Sequence, residues 1–328
     1  MIFIALHIKK RRFFEKERIT GNLYKWIGEA LVEGDDLIAR LSPRLTKHFR
    51  KPAHRQYIID SLINTRKNIS GAAAENIVSL YVSLGLKNDS LRKLHSMTWY
   101  RKSRGIYELY MMTQHDVLPE IAKLANSGSD AVRTEAQTAL VGFKGFKGLS
   151  FLDTLTHPLN EWQQVKLLEQ LNKLDPEEME GLEQWLESQN EDVVLFALKL
   201  TDIFSQLHLH DAIVVRLGSA NERLRAQAIK TLGRIANHGT PAVLKATYAA
   251  ETMANKKNIL RQLCSIGDDN DLPFLIEKLD EPDDALKLEA GRAITRCDSK
   301  GTALLEEIAN SKEGLLPIFK QIKYELSR

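Results

Sequence analysis

Apolar residues return along this chain at an interval of about 31 positions. In the stretch NERLRAQAIKTLG, Leu224, Ala228 and Leu232 are four residues apart, the spacing of one face of a helix. An acidic residue, Glu222, stands in the turn before them. Comparable turn positions, called anchors below, recur at intervals of 30 or 31 residues: Trp99, Asp130, Glu161, Glu191, Glu222, Met253 and Asp284.

Each unit of this pattern predicts two helices. Helix A carries an apolar residue nine positions before the anchor, and helix B carries residues on one face six and ten positions after it. The residue at plus six is mostly small, so we expect it to let helix B approach its neighbours closely. The plus-six residues are Gly105, Ala136, Leu167, Ala197, Ala228, Ile259 and Ala290. Leu167 and Ile259 break the rule and predict irregular stacking.

One helix pair cannot cover its own apolar face, so a period held over seven units predicts pairs that stack on one another. No alternating β-branched stretch of strand length competes with this pattern. The sequence therefore predicts an all-α fold, an α-solenoid of helix pairs. We divide it into a basic N-terminal segment (1–19), an N-terminal helical cap (20–85), the repeats (86–310) and a C-terminal cap helix (311–328).

The repeats resemble the HEAT and HEAT-like (PBS-lyase-type) superfamily. The likeness rests on SDAVRTEAQTAL, NERLRAQAIKTLG and DDALKLEAGRAI, which share an acidic turn, a basic residue at plus three and alanine at plus six. It implies a scaffold, and ladders between repeats made by the turn acid and the plus-three base. The matching pairs are Asp130/Arg133, Glu222/Arg225 and Asp284/Lys287. A second likeness, to bacterial membrane-anchored HEAT-repeat proteins, rests on FIALHIKKRR and WYRKSRGIYEL.

Charge is unevenly distributed along the chain, although the formal net charge is only +3. Residues 1–115 hold 21 Lys and Arg against 10 Asp and Glu, whereas residues 116–328 hold 25 against 33. Such asymmetry indicates an end that faces a membrane or nucleic acid.

The basic end begins with MIFIALHI, followed at once by Lys9, Lys10, Arg11 and Arg12. As a helix the apolar stretch spans about 12 Å, against the roughly 30 Å of a bilayer core. Three interpretations stay open: a short interfacial anchor, the end of a membrane span, or a solvated terminus. The order of apolar and basic residues fits the cytoplasmic face, so we expect a cytoplasmic protein that can attach to an anionic membrane surface.

Motifs for catalysis or cofactor binding are not found in the sequence. Cys264 and Cys297 fit no metal or redox spacing and are expected to be reduced. None of the nine histidines precedes a glutamate, which argues against the His-Glu iron sites of hydroxylases with this fold. His208 and His210 alone make a poor metal site. We therefore expect no enzyme activity, cofactor, metal or small-molecule substrate.

The outward face of helix B carries the predicted partner site. If plus two, six and ten face the core, plus one, five, eight and twelve face outward. At plus eight, four successive units carry a cation, and with about 10 Å per repeat these span some 30 Å. The predicted binding residues are Lys199, Lys230, Arg261, Arg292, Arg223, Arg234 and Arg296. We interpret them as a groove for a protein partner with an acidic segment, and ordinary solvated charges remain the plainer interpretation.

A second candidate surface is the stretch TWYRKSRGIYELY. Its aromatic and basic residues can stack on bases and hold phosphates, as the HEAT-like alkylpurine DNA glycosylases require. The residues are Trp99, Tyr100, Arg101, Lys102 and Arg104, with Glu108 as the one acid of that helix. Core packing, protein or membrane contact, and nucleic-acid binding all remain open for it. A nucleic-acid-binding solenoid of this glycosylase type is therefore the alternative to a protein-binding scaffold.

Overall fold

The computed structural model of the protein describes residues 21, 23–29, 31, 51–174 and 181–327. These residues form helices and connecting turns and contain no β-strand, which confirms the all-α solenoid fold. The predicted N-terminal segment (1–19) and residues 32–50 of the predicted N-terminal helical cap lie outside the described residues.

The chain divides into two compact units. Unit 1 is Met1–Phe151 together with Val165–Lys173, and unit 2 is Leu152–Gln164 together with Leu174–Arg328. The division therefore falls inside the segment predicted as repeats, and the predicted domain boundaries stay predictions.

The helices of unit 1 are a helical stretch at residues 23–29, then α1 (Pro52–Arg66), α2 (Ala72–Ser83), α3 (Leu86–Leu94), α4 (Trp99–Met111), α5 (Leu118–Ala122) and α6 (Asp130–Lys144). Helix α7 (Glu161–Leu171) begins in unit 2 and ends in unit 1. The helices of unit 2 are α8 (Leu182–Leu186), α9 (Glu191–Ile203), α10 (His210–Arg216), α11 (Glu222–Arg234), α12 (Thr240–Thr247), α13 (Met253–Ile266), α14 (Leu272–Glu277), α15 (Asp284–Cys297), α16 (Gly301–Ser311) and α17 (Leu316–Leu326). Short 3-10 segments are His115–Val117, Gly145–Thr154, Leu207–Leu209, Tyr248–Ala250, Asp269–Asp271 and Lys278–Asp280.

Every anchor read from the sequence is the first residue of a helix B: α4, α6, α7, α9, α11, α13 and α15 begin at the seven anchors. In unit 2 the reason is a capping side chain at minus one. Asn190, Asn221, Thr252 and Asp283 each accept a hydrogen bond from a backbone N–H of the first turn. These N–H groups have no partner inside the helix, so each cap fixes where helix B starts.

The positions that the period singled out all belong to the core. The residues at minus nine are buried, as are those at plus six and plus ten. Leu167 and Ile259, the larger plus-six residues, are buried as completely as the alanines. In unit 2 the helix-B series α9, α11, α13 and α15 is in contact from each member to the next, and each packs against its own helix A.

At plus six of α4 the chain comes very close to the neighbouring helix α3. At Gly105 an added Cβ would lie 2.8 Å from the Ser90 carbonyl oxygen and would overlap the backbone of Leu94. Because those atoms are backbone, they cannot move aside as a flexible side chain would. Glycine at this position is therefore required for the packing of α4 against α3.

The expected ladder between repeats has different partners from those that the family resemblance implied. Arg133 and Lys287 pair with Asp130 and Asp284 in their own helices, three residues away. In two places a bond between repeats runs instead from an N-cap side chain to the turn acid of the preceding unit. Asn221 donates to Glu191 at 2.7 Å, and Thr252 donates to Glu222 at 2.7 Å. Arg225 reaches forward to Glu251 at 2.8 Å.

Two helix-B termini use a left-handed residue that is not glycine. Thr113 and Ser205 have φ values of 47° and 49°, and both lie fourteen residues after their anchors. The N–H of the following residue, Gln114 or Gln206, bonds back to the fifth residue before it, Leu109 or Thr201. This is the Schellman arrangement, which usually places glycine at the left-handed position. A side chain there costs conformational energy.

We expect Ala228→Leu to destabilise unit 2. Ala228 is fully buried at plus six of α11, so the larger side chain has to push neighbouring helices apart, at a cost of about 1–3 kcal/mol. Thermal unfolding of the variant measures this cost. Ala254→Leu is the matched control, because Ala254 is exposed in the first turn of α13. Equal melting temperatures for the two variants would contradict the spacer role.

We expect Ser205→Gly to stabilise the protein by roughly 0.5–1 kcal/mol, because glycine adopts the left-handed conformation without the steric cost that serine carries. Chemical denaturation gives the difference. Ser265→Gly, in the last turns of α13, is expected to destabilise the protein, since glycine is unfavourable at an ordinary helical position. The interpretation fails if both substitutions destabilise equally.

Candidate functional site

The seven predicted binding cations, called the helix-B row below, all lie on α9, α11, α13 and α15 of unit 2. Lys230 and Arg261 have side chains that are 60% and 54% exposed, and Arg223, Arg234 and Arg296 are also exposed. Lys199 and Arg292 are partly buried. In unit 2 the predicted outward orientation is observed for these cations at plus one, plus eight and plus twelve. The prediction is wrong for plus five, where Phe196 and Glu289 are buried between helices.

A carboxylate lies beneath the middle of the row. Asp202, on α9, is 11% exposed, and its two oxygens are 3.2 Å from the Lys230 ammonium and 3.6 Å from the Arg234 guanidinium. Both cations are on the next helix B, α11. Since the acid is buried and the cations are exposed, the acid holds the two cations in place while their outer surfaces face solvent.

The same arrangement is found at the next pair of helices. Glu289, on α15, is 5% exposed and lies 2.9 Å from Arg261 of α13 and 3.1 Å from Arg292. Arg292 also forms a bidentate pair with Glu325 of α17, with nitrogen–oxygen distances of 2.7 and 2.8 Å. These bonds raise the pKa of Arg292 and lower that of Glu325.

Lys199, the first cation of the row, forms no ion pair with a carboxylate among the described residues. The Lys199 ammonium donates to the Gln164 side chain at 2.8 Å. Burial lowers the pKa of Lys199, and the positive charges of Arg223 and Lys230 act in the same direction against the attraction of Glu161. Arg223 itself is 3.8 Å from Glu161, and both side chains are well exposed. This end of the row therefore keeps an excess of positive charge.

At its other end the row lines a pocket of about 300 Å³. Three arginines, Arg261, Arg292 and Arg296, share its wall with Glu289 and Glu325. Among the described residues Arg296 forms no ion pair within 4.0 Å. The pocket therefore offers an uncompensated guanidinium beside two that carboxylates already hold.

Two of the acids that organise this row, Asp202 and Glu325, were not singled out from the sequence. Asp202 lies at plus eleven of its unit and Glu325 lies in the terminal cap helix, outside the repeat register. A partial signal existed for Asp202, because no other unit has a carboxylate at plus eleven. No feature of the sequence pointed to Glu325, because its pairing with Arg292 depends on how α17 packs against α15.

The Trp99 to Arg104 segment forms the start of α4, in unit 1. Trp99 and Tyr100 are 58% and 54% exposed, and their rings meet edge to face with centroids 5.9 Å apart. Arg101 is exposed and Lys102 partly so. Arg104 is different: it bonds to Asp60 and lies 3.0 Å from Glu108, so it belongs to the packing of unit 1.

Glu108 is fully buried and cannot reach a ligand in solution. Its oxygens accept hydrogen bonds from Lys93 at 2.6 and 2.9 Å, from Ser90 at 2.6 Å, from Gln56 at 2.8 Å and from Arg104. Two cations and two neutral donors offset the cost of burying the charge. Glu108 therefore holds together α1, α3 and α4. It cannot serve as the catalytic acid that a glycosylase would need.

Within the described ranges, no group of three or more His, Cys, Asp or Glu side chains is placed to hold a metal ion. Over the same ranges no helix has the length and apolar character that crossing a bilayer requires. Lys9, Lys10, Arg11 and Arg12 lie outside the described residues.

No protein-family model matches the chain, and no curated protein matches it in sequence. Among solved structures, it is similar to an engineered protein (14% identity, 93% of this chain and 98% of the other, TM-score 0.42). It is also similar to human deoxyhypusine hydroxylase in complex with glycerol (15% identity, 80% of this chain and 98% of the other, TM-score 0.33). A third structure concerns tubulin recruitment by microtubule polymerases with TOG domain arrays (14% identity, 84% of this chain and 75% of the other, TM-score 0.26). All these TM-scores are below 0.5, so the α-solenoid assignment rests on the chain's own helix pairs.

Proposed function

We propose that the protein is a non-catalytic scaffold or adaptor that binds an acidic segment of a protein partner through the helix-B row. The observation that supports this is the arrangement of charge: exposed cations on α11 and α13 stand over buried carboxylates. Five of the seven cations pair with four carboxylates, Glu161, Asp202, Glu289 and Glu325, so positive charge remains in excess.

Fixed cations suit such a task. A long side chain that is already held by a buried partner loses less freedom when a ligand binds, so more of the attraction remains as affinity. Exposed charges also speed the encounter with an oppositely charged partner. No aromatic residue stands at plus one, plus eight or plus twelve of α9, α11, α13 or α15, so these positions offer no stacking platform for bases. This favours an acidic peptide over single-stranded nucleic acid as its ligand.

We expect the double variant Lys230→Gln, Arg261→Gln to weaken binding of a fluorescently labelled oligoglutamate peptide by about tenfold at low salt, because two exposed charges are lost. Glutamine is preferred to glutamate here, since a new acid would face the buried Asp202 or Glu289. Each of those carboxylates keeps one cation, Arg234 or Arg292. Fluorescence anisotropy against peptide concentration gives the affinity.

The matched control is Lys300→Gln, Lys312→Gln, which removes the same charge at the two ends of α16, outside the row. Its affinity is expected to stay within about twofold of the unchanged protein, as for exposed charges away from the ligand. Asp202→Asn removes a negative charge from beneath the row and is expected to tighten binding of the peptide. If both double variants bind alike, the row is not the interface. If a single-stranded oligonucleotide binds more tightly than the peptide, with affinity falling steeply in salt, the nucleic-acid alternative is preferred.

The proposal includes a cytoplasmic location with attachment of the basic N-terminal segment to an anionic membrane surface. Four adjacent cations contribute about 1 kcal/mol each near such a surface, and the apolar stretch before them adds shallow insertion. We expect the full chain to sediment with phosphatidylserine-containing vesicles at low salt, and a chain without residues 1–19 to remain in the supernatant. Equal sedimentation of the two chains contradicts this part of the proposal.

A further inference from the structure

Unit 1 contains a pocket of about 860 Å³, lined by residues from the end of α1, from α4 and α6, and from the last turns of α7. This volume is within the range of small-molecule sites in proteins. Tyr107, Thr138 and Glu169 in its wall occupy plus eight of three successive units. The pocket is thus built from the outward face of helix B in unit 1, and none of its residues belongs to the helix-B row.

The pocket has more cations than carboxylates. Four cations, Arg66, Lys67, Lys166 and Lys173, share it with Glu135 and Glu169. The Lys166 ammonium is 2.6 Å from Glu135, which leaves one carboxylate for the other three cations. The lining therefore has an excess of two positive charges.

Arg66 is the residue whose state most needs an explanation. Its side chain is partly buried, and within the described ranges no carboxylate or carbonyl bonds to it. Its Nε is shielded from solvent without an acceptor. Burial lowers the pKa of Arg66, and a smaller electrostatic contribution from Tyr110 acts in the opposite direction. A desolvated guanidinium without an anion is costly, so an anionic ligand beside it offsets a cost that the protein alone leaves unmet.

Aromatic rings form another part of the lining. The Phe143 ring meets Tyr110 edge to face with centroids 5.3 Å apart, and His115 lies 4.7 Å from the same ring. The Tyr110 hydroxyl donates to Gln170 at 2.8 Å, which fixes its ring. A side chain at Gly142 would overlap that ring, so this glycine leaves room for Tyr110. The Lys67 ammonium lies 5.5 Å from the Tyr107 ring centroid.

We propose that this pocket binds a small phosphorylated aromatic molecule of the nucleoside monophosphate class. A phosphate monoester carries close to two negative charges near neutral pH, which matches the excess of two cations. A guanidinium binds phosphate oxygens in pairs, and a planar base packs against aromatic rings. A single carboxylate would leave one positive charge unbalanced. The proposal does not rest on the proposed function of unit 2.

The test is isothermal titration calorimetry of the full chain at low ionic strength. AMP, GMP, CMP and UMP are titrated in turn, and each is compared with its own nucleoside (adenosine for AMP) and with inorganic phosphate as the separate halves of the ligand. We expect at least one nucleotide to bind about tenfold or more tightly than either half, because charge-assisted bonds and ring contact act together. Absence of heat from all four nucleotides at millimolar concentration overturns the proposal. So does an affinity for the nucleosides or for phosphate equal to that for the nucleotides.

The variant Arg66→Met separates binding from folding. Because the charge is partly buried and unpaired, its removal is expected to leave the melting temperature unchanged or higher while weakening the nucleotide about tenfold or more. Arg101→Met is the control, since Arg101 is exposed and does not line the pocket. The double variant Lys67→Gln, Lys173→Gln removes two exposed cations from the pocket. It is expected to weaken nucleotide binding by the same factor. Nucleotide binding that is unaffected by the Arg66 and the lysine variants contradicts the assignment.

Discussion

The close approach of neighbouring helices is the constraint on which the rest of this structure depends. Backbone atoms of α3 leave no space for a side chain at Gly105, and alanine occupies the equivalent place in four later units. Once plus six must face a neighbour at short range, the rotation of each helix B about its axis is fixed. Plus eight then has to face outward, which is why cations in unit 2 and pocket residues in unit 1 recur at that position.

Much of the fold could be predicted because its determinants are local. In α9, α11, α13 and α15 the helix begins where an Asn, Thr or Asp side chain caps free backbone N–H groups, and such residues can be read in the sequence one position before the anchor. The buried residues at plus six and plus ten follow from helical geometry alone. Thr113 and Ser205 were less predictable, since neither residue type is typical of a left-handed helix terminus.

The candidate sites were less predictable because they depend on pairing between distant residues. The outward face of helix B could be derived, but not that Asp202 would lie under Lys230 and Arg234. Glu108 illustrates the same limit: its position beside Trp99 and Arg104 suggests reactivity, whereas its burial among four donors makes it structural. Whether a charged residue meets solvent or a partner is decided by packing, which a one-dimensional pattern does not contain.

The sharing of carboxylates between successive helices limits how the repeats can diverge. Asp202 belongs to the unit that begins at Glu191, but the cations it holds belong to the unit that begins at Glu222. No other unit has an acid at plus eleven. Duplication, deletion or exchange of a single unit would therefore separate a buried charge from its partners, even though every unit has nearly the same length. The repeats are alike in shape but not interchangeable, and substitutions at plus eleven and at the next plus eight are expected to be inherited together.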